Sequence, residues 1–286
     1  MQTKIWITGA SGRIGKILLQ QLDRTENKIL ATDTDVDVAD LESVKSYCDM
    51  NRPDVVINCA GLTDTDYCEQ HPEEAFRINA IGARNLAYAA QRVRAKIIQL
   101  STDDVFAGNH REPLIEFDVP APTNIYGRSK YAGENFVREL NPKHLIIRSS
   151  WIYDLNEKEF LGKVFASAKT GTPIEVPMDQ FSSPTSGDAL ANFVMNMINS
   201  SEYGLFHASC EGSCSRYEFA ERALLAAGLP TDCLVRSFGK RPRYTILDNL
   251  MMKITGVYQM PQWEEDLRTF FQTHRSEFAT KGGSLT

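Results

Sequence analysis

Lys4-Ile5-Trp6-Ile7-Thr8-Gly9-Ala10-Ser11-Gly12-Arg13-Ile14-Gly15 decides the fold. A short β-rich run, Lys4 to Thr8, meets three glycines spaced by three. Ile14, Ile17, Leu18 and Leu22 then recur at helical spacing. Glycines at 9, 12 and 15 permit a tight turn, close backbone approach to a pyrophosphate, and close helix–strand packing. A helix starting there offers unpaired N–H groups and a positive dipole end to phosphates. Asp33 follows the second strand, where an acid accepts hydrogen bonds from an adenosine ribose. Strand, loop, helix and acid together point to dinucleotide binding, with Gly9, Ser11, Gly12, Arg13, Ile14 and Gly15 at the phosphates. Asp33 favours NADH, whereas Arg13 can attract the extra phosphate of NADPH, so the preference stays open. Asp37 and Val38 are placed to cover the adenine.

The same alternation continues outward. Ile29-Leu30-Ala31-Thr32, Val55-Val56-Ile57, Lys96 to Ser101 and Leu145-Ile146-Ile147-Arg148 read as strands, and a helix follows Pro72. Continuous apolar strands alternating with helices mean a parallel sheet covered on both faces. The fold class is therefore α/β, a doubly wound Rossmann-like sheet whose ligands bind beyond the carboxyl ends of the strands. After Trp151 the pattern loosens. Helices near 160–169, 188–199, 217–227 and 263–271 alternate with loops rich in Pro, Ser, Gly and Asp, which reads as a smaller, irregular C-terminal α/β substrate lobe. The expected division is 1–150 for the dinucleotide and 151–286 mainly for substrate, with part of 160–205 returning to the first domain. Lys281-Gly282-Gly283-Ser284 reads as a loose end.

Composition narrows the function. The 286 residues are 42% hydrophobic and 24% charged, ordinary for a globular chain. A net charge of -6 and a pI near 5.5 argue against nucleic acid as a partner. No apolar run is long enough to span a bilayer, and a strand starting near Lys4 leaves no room for a signal peptide before it. The six cysteines read as reduced cytoplasmic thiols, and the loose spacing of Cys210 and Cys214 does not read as a metal site.

The chemistry lies in Tyr126-Gly127-Arg128-Ser129-Lys130. Four apart on a helix, Tyr126 and Lys130 share a face. A phenol is a weak acid at neutral pH, and a neighbouring ammonium is expected to lower its pKa. Tyr126 then protonates a carbonyl oxygen as hydride reaches the carbon, while Lys130 also holds the nicotinamide ribose. Ser101-Thr102-Asp103 supplies a hydroxyl at a strand's carboxyl end, where it can bond a developing oxyanion.

This set, with Asn58-Cys59-Ala60-Gly61, resembles the extended short-chain dehydrogenase/reductases. More narrowly the chain resembles the dTDP-4-dehydrorhamnose reductase family, in Arg148-Ser149-Ser150-Trp151-Ile152-Tyr153, in Asp179 to Thr185, in Arg241-Pro242 with Leu247-Asp248-Asn249, and in Pro261-x-Trp263-Glu264-Glu265. The resemblance runs over nearly the whole chain. It implies a catalytic trio of Thr102, Tyr126 and Lys130, a cofactor channel along Ala60, Gly61 and Thr63, and a bracing role for Asn79 beside it. It also implies that Thr102, Asp103, Trp151, Gln180 and Arg241 face a nucleotide-sugar, with NADPH or NADH as reductant; no metal ligand is assigned, and a part for Mg2+ is not readable from the sequence. The expected setting is cytoplasmic, as a monomer or homodimer.

Two positions depart from the family. Asp104 replaces the usual tyrosine of Ser-Thr-Asp-Tyr-Val-Phe and resembles the acid pair of nucleotide-sugar 4,6-dehydratases; it is read as a local substitution. Asp154 stands where glycine is common. Two alternatives remain: a related epimerase or dehydratase, which shows no net consumption of NAD(P)H, and a non-catalytic subunit like the regulatory subunit of methionine adenosyltransferase.

Overall fold

The computed structural model describes residues 2–239 and 241–275; the 281–284 segment lies outside them. Five parallel strands, β1 (Thr3–Thr8), β2 (Asn27–Thr32), β3 (Val55–Asn58), β4 (Lys96–Thr102) and β5 (His144–Ser149), form most of one sheet. A sixth, Gly204–His207, pairs in parallel with β5, giving the order Gly204–His207, β5, β4, β3, β1, β2. The chain leaves β1 for β2 on one side and returns to β3 on the other. The crevice between these two directions is where a doubly wound sheet binds ligand.

Side-chain alternation along each strand feeds two separate cores. Ile5, Ile7, Ile57, Ile98, Leu145 and Ile147 face one layer, with Leu18, Leu190, Val194 and Phe206. Trp6, Val56, Ile97 and Ile146 face the other, with Val44, Leu86, Ala90 and Val137. Both faces are covered, so the strands carry no polar alternation.

The loop after β1 leads into α1 (Arg13–Gln21), whose first turn buries Ile14 and Gly15. Gly9 holds φ +63°, and a side chain there would sit 2.6 Å from the Ala60 backbone nitrogen, so only glycine fits. The helix Leu41–Asn51 gives almost no sequence signal, because it buries only Val44 and Cys48. From Pro72 the chain runs helically through Pro72–Phe76, a π-helical turn Arg77–Gly82, and Ala83–Arg92.

The remaining elements are short. Parallel pairs join Ile152–Tyr153 to Thr185–Ser186 and Ile174–Pro177 to Leu234–Ser237, and an antiparallel pair joins Phe181–Ser182 to Cys214–Ser215. The closing helix Trp263–Thr273 docks through Asp266. That buried carboxylate accepts from Tyr153 Oη at 2.8 Å, Ser186 N at 2.8 Å and Ser186 Oγ at 2.7 Å. No helix of the described residues is long and apolar enough to cross a membrane.

Candidate active site

A cleft of about 1370 Å³ runs along the carboxyl ends of β1, β3, β4 and β5. Pockets for one small ligand hold roughly 300–1,000 Å³, so there is room here for two. Ser11, Gly12, Arg13, Ile14, Ala60, Gly61 and Thr63 line one end, and Thr102, Asp103, Tyr126, Lys130, Trp151, Gln180 and Arg241 the other.

At the first end, Gly12 caps α1 without any side-chain hydrogen bond, so the helix's first N–H groups are left to the cleft. Gly9 and Gly15 shape this turn from behind. Asn58 fixes the facing loop: its Oδ1 accepts from Thr8 Oγ1 and Ala60 N, and its Nδ2 donates to Gln99 at 2.7 Å. Asp33 accepts from Ser11 N at 2.8 Å, and hydrogen bonding to Ser11 keeps its carboxyl below the usual range. These residues fit a dinucleotide's pyrophosphate and adenosine ribose.

Four residues expected at this end already have partners within the protein. Val38 is buried in the core beneath the Ala83–Arg92 helix, and Asp37 pairs with Arg77 at 3.0 Å. Asn79, expected to brace the channel from beside it, sits in the π-helical turn. It accepts from Leu62 N at 2.8 Å and donates to Leu62 O and to Ser129 Oγ, tying the Gly61–Leu62 loop to the helix carrying Tyr126. Arg13 is already occupied. It donates to Ile152 O at 2.8 Å and pairs with Asp154 at 3.1 Å and Glu159 at 2.5 Å.

At the second end, the helix Ile125–Leu140 starts at Asn124, whose Oδ1 accepts from Gly127 N at 2.7 Å. Gly127 lies against the Asp104 carbonyl, a contact that leaves no space for a side chain. That approach brings Tyr126 to the end of β4, where its hydroxyl faces that of Thr102. Lys130, one turn on, is buried, with its ammonium beside Gly61. Burial pulls Lys130 down to about 8 against the opposing pull of Glu134.

The phenol is shifted upward, contrary to the sequence expectation. Burial raises it first and the Asp104 carboxylate next, against the Thr102 hydroxyl and the charge of Arg241. The cation opposing the shift is thus Arg241 rather than Lys130. Asp103 is buried, and burial with the like charge of Asp104 pushes its carboxyl up. Its oxygens accept from Thr245 Oγ1 at 2.6 Å, Ser182 Oγ at 3.3 Å and Thr102 Oγ1 at 3.3 Å.

A smaller pocket opens beside Asp103 and Asp104, lined also by Trp151, Gln180, Arg216 and Arg241. Backbone pairing assembles this wall. Phe181 N donates to Arg243 O, Thr245 N to Phe181 O, and Arg216 N to Gln180 O. Trp151 lies in the left-handed region at φ +40°, and the Arg216 guanidinium stacks on its ring at 3.6 Å. The sequence reading passed over Arg216, Thr65 and Thr245. Arg216 opens a helix after Ser215, with no spacing to mark it, and only the pairing of Cys214–Ser215 with Phe181–Ser182 brings it to the cleft.

The family model described as RmlD substrate binding domain matches residues 3–276. Among curated proteins, the Bacillus subtilis spore coat polysaccharide biosynthesis protein SpsK is 34% identical, across 96% of this chain and 99% of that protein. A dTDP-4-dehydrorhamnose reductase of Mycolicibacterium smegmatis is also 34% identical, across 94% of this chain and 85% of the relative. Among solved structures, dTDP-4-dehydrorhamnose reductase from Bacillus anthracis in complex with NADP superposes with a TM-score of 0.92 at 39% identity, covering 96% of this chain and 100% of that one. The chain belongs to the RmlD substrate binding domain family, the family of the dTDP-4-dehydrorhamnose reductases.

Proposed function

We propose that the protein uses NADPH or NADH to reduce the 4-keto group of a dTDP-linked 6-deoxysugar, as in dTDP-L-rhamnose synthesis. The observation that carries this reading is the meeting of Tyr126 and Thr102 at the carboxyl end of β4, with Lys130 beside Gly61, in a cleft that leads to the open start of α1. Similarity to reductases of that name supports the choice of substrate.

The bound cofactor supplies the hydride. Thr102 and Tyr126 hold the keto oxygen between two hydroxyls, and Tyr126 donates its proton as charge develops there. A phenol held in its protonated form is the species that reduction requires, so the upward shift of Tyr126 serves an acid working in this direction. Lys130 contributes positive charge and a donor for the cofactor's ribose. Ser11 and Gly12 receive the phosphates, and Asp33 the adenosine ribose. In this division of labour residues 1–150 bind mainly the dinucleotide and residues 151–286 mainly the sugar nucleotide, in a cytoplasmic monomer or homodimer.

The test follows reduced-nicotinamide absorbance with purified protein, dTDP-4-dehydrorhamnose and either cofactor. Substrate-dependent loss of absorbance is expected. The acid pair Asp103 and Asp104 beside Tyr126 favours one second reading, a dehydratase or epimerase, in which keto-sugar turns over with no net loss of reduced cofactor.

A further inference from the structure

We infer that Arg216 is an anion receptor of the cleft and, with Arg241, grips the diphosphate of the nucleotide-sugar; the identity of that anion rests on the reading above.

The two guanidiniums line the same small pocket and lie close enough to repel each other. No carboxylate of the described residues comes within salt-bridge distance of either. The acids nearby are engaged elsewhere. Asp103 is held by the hydroxyls of Thr245, Ser182 and Thr102, and Asp104 accepts from Asn124 Nδ2 at 3.3 Å. Burial and the charge of Arg241 pull Arg216 down to about 9, against the attraction of Asp103 and Asp104. Asp103 and Asp104 offset part of this charge from beyond salt-bridge distance, and an anion in the pocket would answer the two guanidiniums directly.

The geometry of Arg216 suits that task. Its flat face rests on the Trp151 ring at 3.6 Å, and its centre lies 4.8 Å from that of the Phe160 ring. Stacking fixes the plane of the guanidinium and leaves its N–H edge free for forked donation to phosphate oxygens. The backbone is fixed as well, by the bond from Arg216 N to Gln180 O at 2.9 Å. Arg241, which lines the same pocket, donates to the Thr65 hydroxyl. A diphosphate carries the two charges needed to answer both guanidiniums. The pocket also adjoins Asp103, next to Thr102, so an anion held there leaves the attached sugar near Tyr126.

The experiment measures binding of dTDP, inorganic pyrophosphate and thymidine by calorimetry, with NADPH at saturation, in the native protein, Arg216→Met and Arg216→Lys. Loss of a charge-assisted contact should weaken dTDP and pyrophosphate about 10–100-fold in Arg216→Met. Thymidine and NADPH affinity should stay within about twofold. Arg216→Lys should recover part of the loss, and KM for the nucleotide-sugar should rise with kcat nearly constant. Unchanged dTDP affinity in a folded Arg216→Met would overturn the inference. So would an equal loss for thymidine, since Arg216 would then serve only to pack Trp151. If the native protein binds pyrophosphate through Arg216 but neither binds dTDP nor consumes NADPH with the keto-sugar, the proposed reaction fails while the anion receptor stands.

Discussion

Glu134→Gln should destabilise the protein strongly and move its alkaline activity limb to lower pH. Glu134 and Arg148 form an ion pair in which the side chains are 0% and 1% exposed. The pairing is two-pronged, Nε to Oε1 at 2.9 Å and Nη2 to Oε2 at 2.7 Å, with Ser101 Oγ donating to Oε1 at 2.5 Å. Glutamine matches the shape but removes the charge, and its amide points a donor at a donor. Stranding a buried guanidinium costs about 3–5 kcal/mol. At roughly 2–4 °C per kcal/mol for a chain of this class, the midpoint should fall by about 6–20 °C. The paired variant Glu134→Leu with Arg148→Met removes both charges and should return to within about 2 kcal/mol of the native protein. Glu134 also raises the Lys130 pKa, so its loss takes Lys130 below about 8. Denaturant unfolding of the native protein and these two variants, with a pH profile of each, is the assay. A single-variant cost under about 1 kcal/mol, or a double variant no better than Glu134→Gln, would refute the reasoning.

Four further outcomes are expected. Tyr126→Phe should lower kcat by about 10²–10⁴-fold, with the unfolding midpoint and NAD(P)H affinity unchanged, measured by steady-state kinetics and cofactor titration. The ordinary lysine pKa of 10.5 is depressed to about 8 at Lys130, so the charged form is present below that value and activity should fall as pH rises through it. The same depression makes the buried ammonium a cost to folding below pH 8 that is relieved between 8 and 10.5, which urea unfolding across that range can measure. Asp266→Ala should cost about 3 kcal/mol in the same assay, because it strands Ser186 N and Tyr153 Oη without their buried acceptor.

The parts of the molecule legible in the sequence are those fixed by local rules. The β1–α1 turn is written in glycines because backbone must approach backbone at Gly9, and the central strands are written as apolar runs because both their faces are covered. Tyr126 and Lys130 could be paired because four residues on a helix share a face. The strand Gly204–His207 was not readable, since four residues at a sheet edge, only two of them buried, give no periodicity. Val38 is hard to read for a related reason. A valine beside a ribose-binding acid reads alike whether it points to ligand or core, and only the packing of Gly82 against its side chain decides.

Electrostatics was the least legible property, because charge acts across the fold rather than along the chain. Lys130 is Tyr126's neighbour in sequence, yet the charges felt by the phenol come from Asp104 on the β4 side and Arg241 from far along the chain. Arg13 belongs to the phosphate loop, but Asp154 and Glu159 claim its guanidinium from the segment after β5. The consequence is a division of the cleft's cations. Arg13 spends its charge holding the 152–159 segment to the cofactor loop, whereas Arg216 and Arg241 keep theirs for an anion. On the proposed reading an acidic protein binds two anionic ligands in one cleft, the cofactor's phosphates at helix N–H groups and the other ligand's at Arg216 and Arg241.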